Sequence, residues 1–176
     1  MLKSGVFLLA STVSVLPVRA GLPTQQEALV LAFPRSAFTR REHFLTEAQA
    51  RQVKELSGVD LPGLWLVVYE ARKDGKLAGV AFFDTHRVRT LNETAMVAVD
   101  GGGKVLRVEV VAFREPQEYM ARDAWKKQLE GRRLDGELKL NRAIRPLSGA
   151  TLTAHALTDA SRRCLALWQV LYGSAP

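Results

Sequence analysis

The chain has 176 residues, a formal charge of +7, 47% hydrophobic residues and 24% charged ones; that is enough for one globular domain and is the wrong composition for a disordered chain. Its single cysteine, Cys164, excludes an internal disulfide, a paired-cysteine zinc site and a haem-attachment motif. The positive surplus suits an acidic partner, an anionic surface or an anionic ligand. With no nucleic-acid-binding motif and no basic repeat, nucleic acid is not an expected partner.

Residues 1–20 read as a secretory signal peptide. Lys3 gives a positive start, residues 5–16 form an uncharged, mostly apolar run, and Val18-Arg19-Ala20 stands where a signal peptidase cuts. Cleavage is expected after Ala20, which exports the mature protein to the periplasm or another extracytoplasmic space. The run 4–18 is short for a bilayer-spanning helix. Loss of Lys3 and Arg19 leaves a net charge of about +5.

Residues 21–63 form an N-terminal helical segment. A short helix over 24–33 stops before Pro34, and an irregular basic stretch with Arg35, Arg40 and Arg41 follows. Thr46-Glu47-Ala48-Gln49 is a capping box opening a helix that runs to Ser57 and stops at Gly58. Asp60-Leu61-Pro62-Gly63 links it to a β region.

The main domain spans 64–176. Strands are expected at 64–71 and 77–83 around the turn Lys73-Asp74-Gly75-Lys76, and at 94–99 and 105–113 around residues 100–104. In 104–113, Leu106, Val108, Val110 and Ala112 alternate with Arg107 and Glu109, the pattern of a half-buried antiparallel strand. Gly101-Gly102-Gly103 lacks the helix and the Lys-Ser/Thr of a phosphate loop, so it reads as a turn. A helix is expected over 118–131, with Ala121, Trp125 and Leu129 on its core face.

The most informative stretch is Arg145-Pro146-Leu147-Ser148-Gly149-Ala150-Thr151-Leu152-Thr153. Three small residues allow close backbone approach, and Gly149 takes a positive φ at little cost. A helix over 152–172 follows, with Leu157, Ala160, Cys164, Trp168 and Leu171 at helical spacing. A tight turn feeding a helix N-terminus favours a phosphate. The same pattern also suits a plain N-cap before a buried helix. His43, His86 and His155 are scattered, so neither a metal site nor a catalytic constellation is expected. The fold class is α+β: a small antiparallel sheet flanked by helices, with this turn leading into the C-terminal helix.

Ser148-Gly149-Ala150-Thr151-Leu152-Thr153 resembles the covalent flavin-attachment motif of the FMN-binding domain family, which includes the flavin-carrying subunits of the Rnf and sodium-pumping NADH:quinone oxidoreductase complexes. The resemblance covers roughly residues 64–172 and takes in Arg114-Glu115-Pro116-Gln117-Glu118-Tyr119 and Trp125-Lys126-Lys127-Gln128-Leu129. It implies an FMN whose phosphate is esterified to Thr151 by a flavin transferase using FAD. It also implies a close-approach turn from Leu147, Ser148, Gly149 and Ala150, a phosphate contact from Thr153, and Glu115 and Pro116 near the ring. The expected function is an extracytoplasmic electron carrier, more a redox subunit than a stand-alone enzyme. Its partners would be a redox protein or a membrane electron-transfer complex. Relatives of this kind are tethered near their N-termini, so an uncleaved anchor is the alternative to cleavage after Ala20. The family pattern carries Asp where this chain has Arg145. That departure supports the competing reading, an accessory protein that keeps the fold and binds no flavin. A flavoenzyme with its own substrate is a third.

Overall fold

The computed structural model describes residues 21–173; the expected signal peptide lies outside them. The elements follow in chain order as α1 (Gln25–Ala32), β1 (Ala37–Phe44), α2 (Glu47–Ser57), β2 (Trp65–Lys73), β3 (Lys76–Arg87), β4 (Asn92–Asp100), β5 (Val105–Phe113), a 3-10 turn (Gln117–Tyr119), α3 (Asp123–Lys126) and α4 (Thr151–Tyr172). The strands form one antiparallel meander in the order β1-β2-β3-β4-β5. This is the α+β arrangement expected.

Both sheet faces are covered. On one, Val68, Val80, Phe82, Ala95, Val97, Val99 and Val108 pack with Val53 of α2 and with Ala154, Leu157, Cys164 and Leu165 of α4. On the other, Ala71, Ala81, Met96 and Ala98 meet Ala28, Leu29, Ala32 and Phe33 at α1. Double coverage explains why 80–82 and 95–99 are continuous apolar runs rather than alternating ones. Gly79 permits the close approach of α1: a Cβ there would lie 2.7 Å from Phe33 Cε1 and 2.3 Å from the Val99 carbonyl oxygen. Among the described residues, no helix is long and apolar enough to cross a membrane.

The local signals at α2 operate as read. Thr46 and Gln49 exchange the two capping-box bonds, and Gly58 closes the helix at φ 71°. Three expectations need correction. The basic stretch after α1 is not irregular; it is β1, paired residue by residue with β2 from Ala37↔Arg72 to Phe44↔Trp65. As an edge strand it carries mostly exposed charges, Arg40, Arg41 and Glu42, and so lacks an apolar alternation to read.

Strand β5 does not alternate cleanly. Its register against β4 shifts between Thr94/Ala95 and between Ala98/Val99, and Leu106 and Ala112 face solvent. The 118–131 segment is not one helix. Met120 (ψ 137°) and Arg122 (ψ 154°) are extended, separating the 3-10 turn from the single turn of α3. Tertiary bonds override helix continuation here. Lys126 Nζ reaches Glu109 at 2.8 Å, Trp125 Nε1 donates to the Arg145 carbonyl at 2.8 Å, and Gly131 N donates to the Val105 carbonyl at 2.7 Å. Ala121, Trp125 and Leu129 are still all buried.

Candidate functional site

The small-residue turn and the start of α4 stand as a unit. Ala150 N donates to the Leu147 carbonyl at 3.0 Å, and Gly149 sits at φ 79°, as the third residue of a type II turn requires. Nothing lies within 4 Å of where a Gly149 Cβ would be, so glycine serves backbone conformation there, not packing. The N-cap residue is Ala150, with no side chain to accept from the first turn. The plain N-cap reading therefore has no capping group here. The first amide bonded within the helix, Ala154 N to the Ala150 carbonyl, leaves those of residues 151–153 open. Such an end attracts an anion.

The flanking hydroxyls differ. Thr151 is exposed, and its Oγ1 has only a long contact, 3.4 Å, to the Leu147 carbonyl. Thr153 is buried and its Oγ1 donates to the Tyr119 carbonyl at 2.6 Å, fastening α4 to the 3-10 turn. Ser148 is exposed on the turn, while Leu147 is half-buried and packs on the core.

An open cavity of about 300 Å³ lies against this turn, lined by Gly149, Ala150, Thr151, Leu152 and Thr153 together with Arg89 and Tyr119. The Arg89 guanidinium carbon stands 4.6 Å from the Tyr119 ring centroid, a cation–π arrangement. Sequence reading left Arg89 and Tyr119 off the site. Tyr119 was visible only as the end of the Glu-Pro segment, and Arg89 had no local signal, being one arginine in a hairpin loop.

Glu115 and Pro116 do not line the cavity; they hold in place the two residues, Arg89 and Tyr119, that form its far side. Glu115 is buried, and its Oε1 accepts from Leu91 N at 2.8 Å, Thr90 N at 2.7 Å and Arg89 N at 3.1 Å. The Leu91 bond, with those from Thr90 and Arg89, holds the Glu115 carboxyl below the usual glutamate range against the opposing effect of burial. Pro116 opens the 3-10 turn, its carbonyl accepting from Tyr119 N at 3.0 Å, which brings Tyr119 to the cavity. Arg145 is exposed and lies outside the lining. Its backbone is pinned by Trp125 and Gln128, so Trp125 is committed to the core and this strap.

A larger cavity, about 340 Å³, opens where β2–β3 pairing stops at Val68↔Phe82. Three charged residues on it are already paired: Arg163 grips Asp84 through two 2.7 Å bonds, and Arg40 bonds Glu42. Asp84 continues into a buried cluster, with His86 between Asp84 Oδ1 (2.8 Å) and Glu93 Oε2 (3.1 Å). Burial alone would raise Asp84, but the bonds from His86 and Arg163 outweigh it and hold it at about 2. Burial opposes the charge on His86 too; bonds to Asp84 and Glu93 prevail and push it up to about 9. This cluster bolts the β3–β4 hairpin to α4.

An uncapped helix end, an exposed hydroxyl, an open approach over Gly149 and one guanidinium suit the phosphate of a nucleotide-like cofactor. No curated protein matches the chain. Residues 91–166, from the loop held by Glu115 through Thr151 and into α4, match the FMN-binding domain, which supports the FMN-binding domain family for this part of the chain.

Proposed function

We propose that the protein is an extracytoplasmic electron carrier whose FMN phosphate is esterified to Thr151. Exposure of the Thr151 hydroxyl at an uncapped helix end, beside a buried and committed Thr153 hydroxyl, carries this reading. The amides of residues 151–153 and the helix dipole neutralise part of the phosphate charge, and Arg89 supplies the rest from across the cavity. Glu115 holds the Arg89 loop in place and Tyr119 supports the guanidinium from beneath. Bound FMN supplies one- and two-electron chemistry; the chain binds and orients it. In maturation by a flavin transferase, Thr151 Oγ1 loses its proton to solvent and accepts the flavin half of FAD, with AMP leaving. A covalent tether keeps the cofactor from diffusing away after export, which agrees with the signal-like residues 1–20.

The test is the intact mass of protein exported in cells that make a flavin transferase. Wild type should begin at Gly21 and carry one FMN after denaturation. Thr151→Val, which keeps the β-branched shape, should fold, lose the adduct and keep at most weak reversible binding. An adduct persisting on Thr151→Val would show that another residue is the acceptor. A fully flavin-free wild type would favour the accessory-protein reading, which Arg145 in the motif supports.

A further inference from the structure

The mouth of the Thr151 cavity lies at the end of the sheet that carries the β3–β4 hairpin and the last residue of β5. Arg87 closes the β3–β4 register opposite Asn92, Arg89 lines the cavity, Arg114 donates its amide to the Asn92 carbonyl at 3.2 Å, and Arg122 precedes α3. All four are exposed, and among the described residues none makes an ion pair. The acids nearby do little to cancel them. Glu115 is buried under backbone amides and Asp123 is paired with Lys126, which leaves Glu118 as the exposed counter-charge. Leu152 (51% exposed) lines the cavity with Arg89, and Leu91 (44% exposed) lies in the same Glu115-held loop as Arg89.

Unpaired like charges at one end of a domain project a field that raises encounter rates with an oppositely charged partner. A small apolar centre inside a charged rim is the anatomy of a transient protein interface. Two leucines are too little apolar area for insertion at a lipid surface. We propose that this arginine-rimmed mouth is the docking surface for an acidic electron-transfer protein. The inference rests on the flavin reading of the same cavity, because a partner must come close to whatever the cavity holds.

The experiment titrates isotope-labelled, flavin-loaded protein with a two-iron ferredoxin of net negative charge, following backbone amide shifts at low and high salt. Saturable shifts are expected at Arg89, Leu91 and Leu152. Affinity should fall roughly tenfold or more when the Debye length shrinks from about 30 Å to about 3 Å. The double variant Arg87→Gln/Arg114→Gln should bind about tenfold more weakly with unchanged flavin content. The surface is overturned by equal binding of a basic c-type cytochrome, by shifts elsewhere on the domain, or by binding only to vesicles of equal parts phosphatidylglycerol and phosphatidylcholine. Flavin content is measured separately. A flavin-free protein that still binds ferredoxin at this surface sinks the flavin reading and leaves the docking surface standing.

Discussion

Mildly alkaline pH should loosen this fold, because His86 is buried between two carboxylates. Its pKa stands at about 9 against 6.5 for a free imidazole, which corresponds to roughly 3 kcal/mol of stability while the ring is charged in the folded state. The raised value means that the native protein holds a proton the unfolded chain has released. The contribution is therefore complete below pH 6.5 and is lost as pH climbs towards about 9. At about 1.4 kcal/mol per pH unit, the protein should lose roughly 2 kcal/mol between about pH 7 and 8.5. Asp84 reports the same contacts from the acid side: held at about 2, it contributes above 3.8 and fails as pH falls below that; the two figures are not added. The scan stops near pH 8.5, since burial pushes the Cys164 thiol up and its ionisation in the unfolded chain adds a further loss above that point. Urea unfolding at constant ionic strength, followed by fluorescence and circular dichroism, measures the slope. Replacing the pair together, His86→Phe with Glu93→Leu, should abolish it without leaving a lone buried charge. A flat wild-type profile, or an imidazole that titrates near 6.5 by NMR, would refute the argument.

Gly149→Ala should cost about 1 kcal/mol, because an L side chain at φ 79° is strained even with open space around it. Gly63→Ala, equally open and without that φ, should be neutral or slightly stabilising in the same urea assay. Glu115→Ala frees three loop amides and should weaken reversible FMN binding about tenfold by fluorescence titration, through Arg89; unchanged affinity would show that the loop does not reach the ligand. The same anchor predicts that wild-type binding weakens as pH falls through the acid range, since Glu115 is depressed and loses its charge only there. A rise in affinity on acidification would contradict it.

Where the signal in the chain is local, it is legible. Thr46, Gln49 and Gly58 define both ends of α2 by their own hydrogen bonds and φ angle, and Asp74-Gly75 makes the β2–β3 turn where two positive φ values are needed. The misreadings fall where distant residues decide. β1 is a strand because β2 offers it a partner, and its exposed Arg40, Arg41 and Glu42 carry no trace of that. The 118–131 segment has helical spacing, yet Lys126 is drawn to Glu109 and the chain after it is drawn to Val105, so the helix lasts a single turn.

The site divides along the same line. Its near wall, residues 149–153, is contiguous in the chain, and a turn with a positive φ ahead of a helix can be read from composition alone. Its far side is assembled from two loops, with the Arg89 loop held to Glu115 mainly through backbone amides 24 to 26 residues away from the carboxylate. Glu115 was readable as a residue that matters, but its bonds to the amides of residues 89–91 have no local signal in the sequence. The carboxylate is spent on the loop, and the loop presents the cation. The difference between Thr151 and Thr153 has the same origin. Two threonines in one helical turn are equivalent on paper until Tyr119, brought round by Pro116, takes the hydroxyl of one and leaves the other facing the cavity. Thr153→Val should therefore lower stability by roughly 1 kcal/mol through the lost bond to the Tyr119 carbonyl and leave the Thr151 hydroxyl, the proposed acceptor, in place. A Thr153→Val protein that folds normally but carries no FMN would mean that this division of roles is reversed.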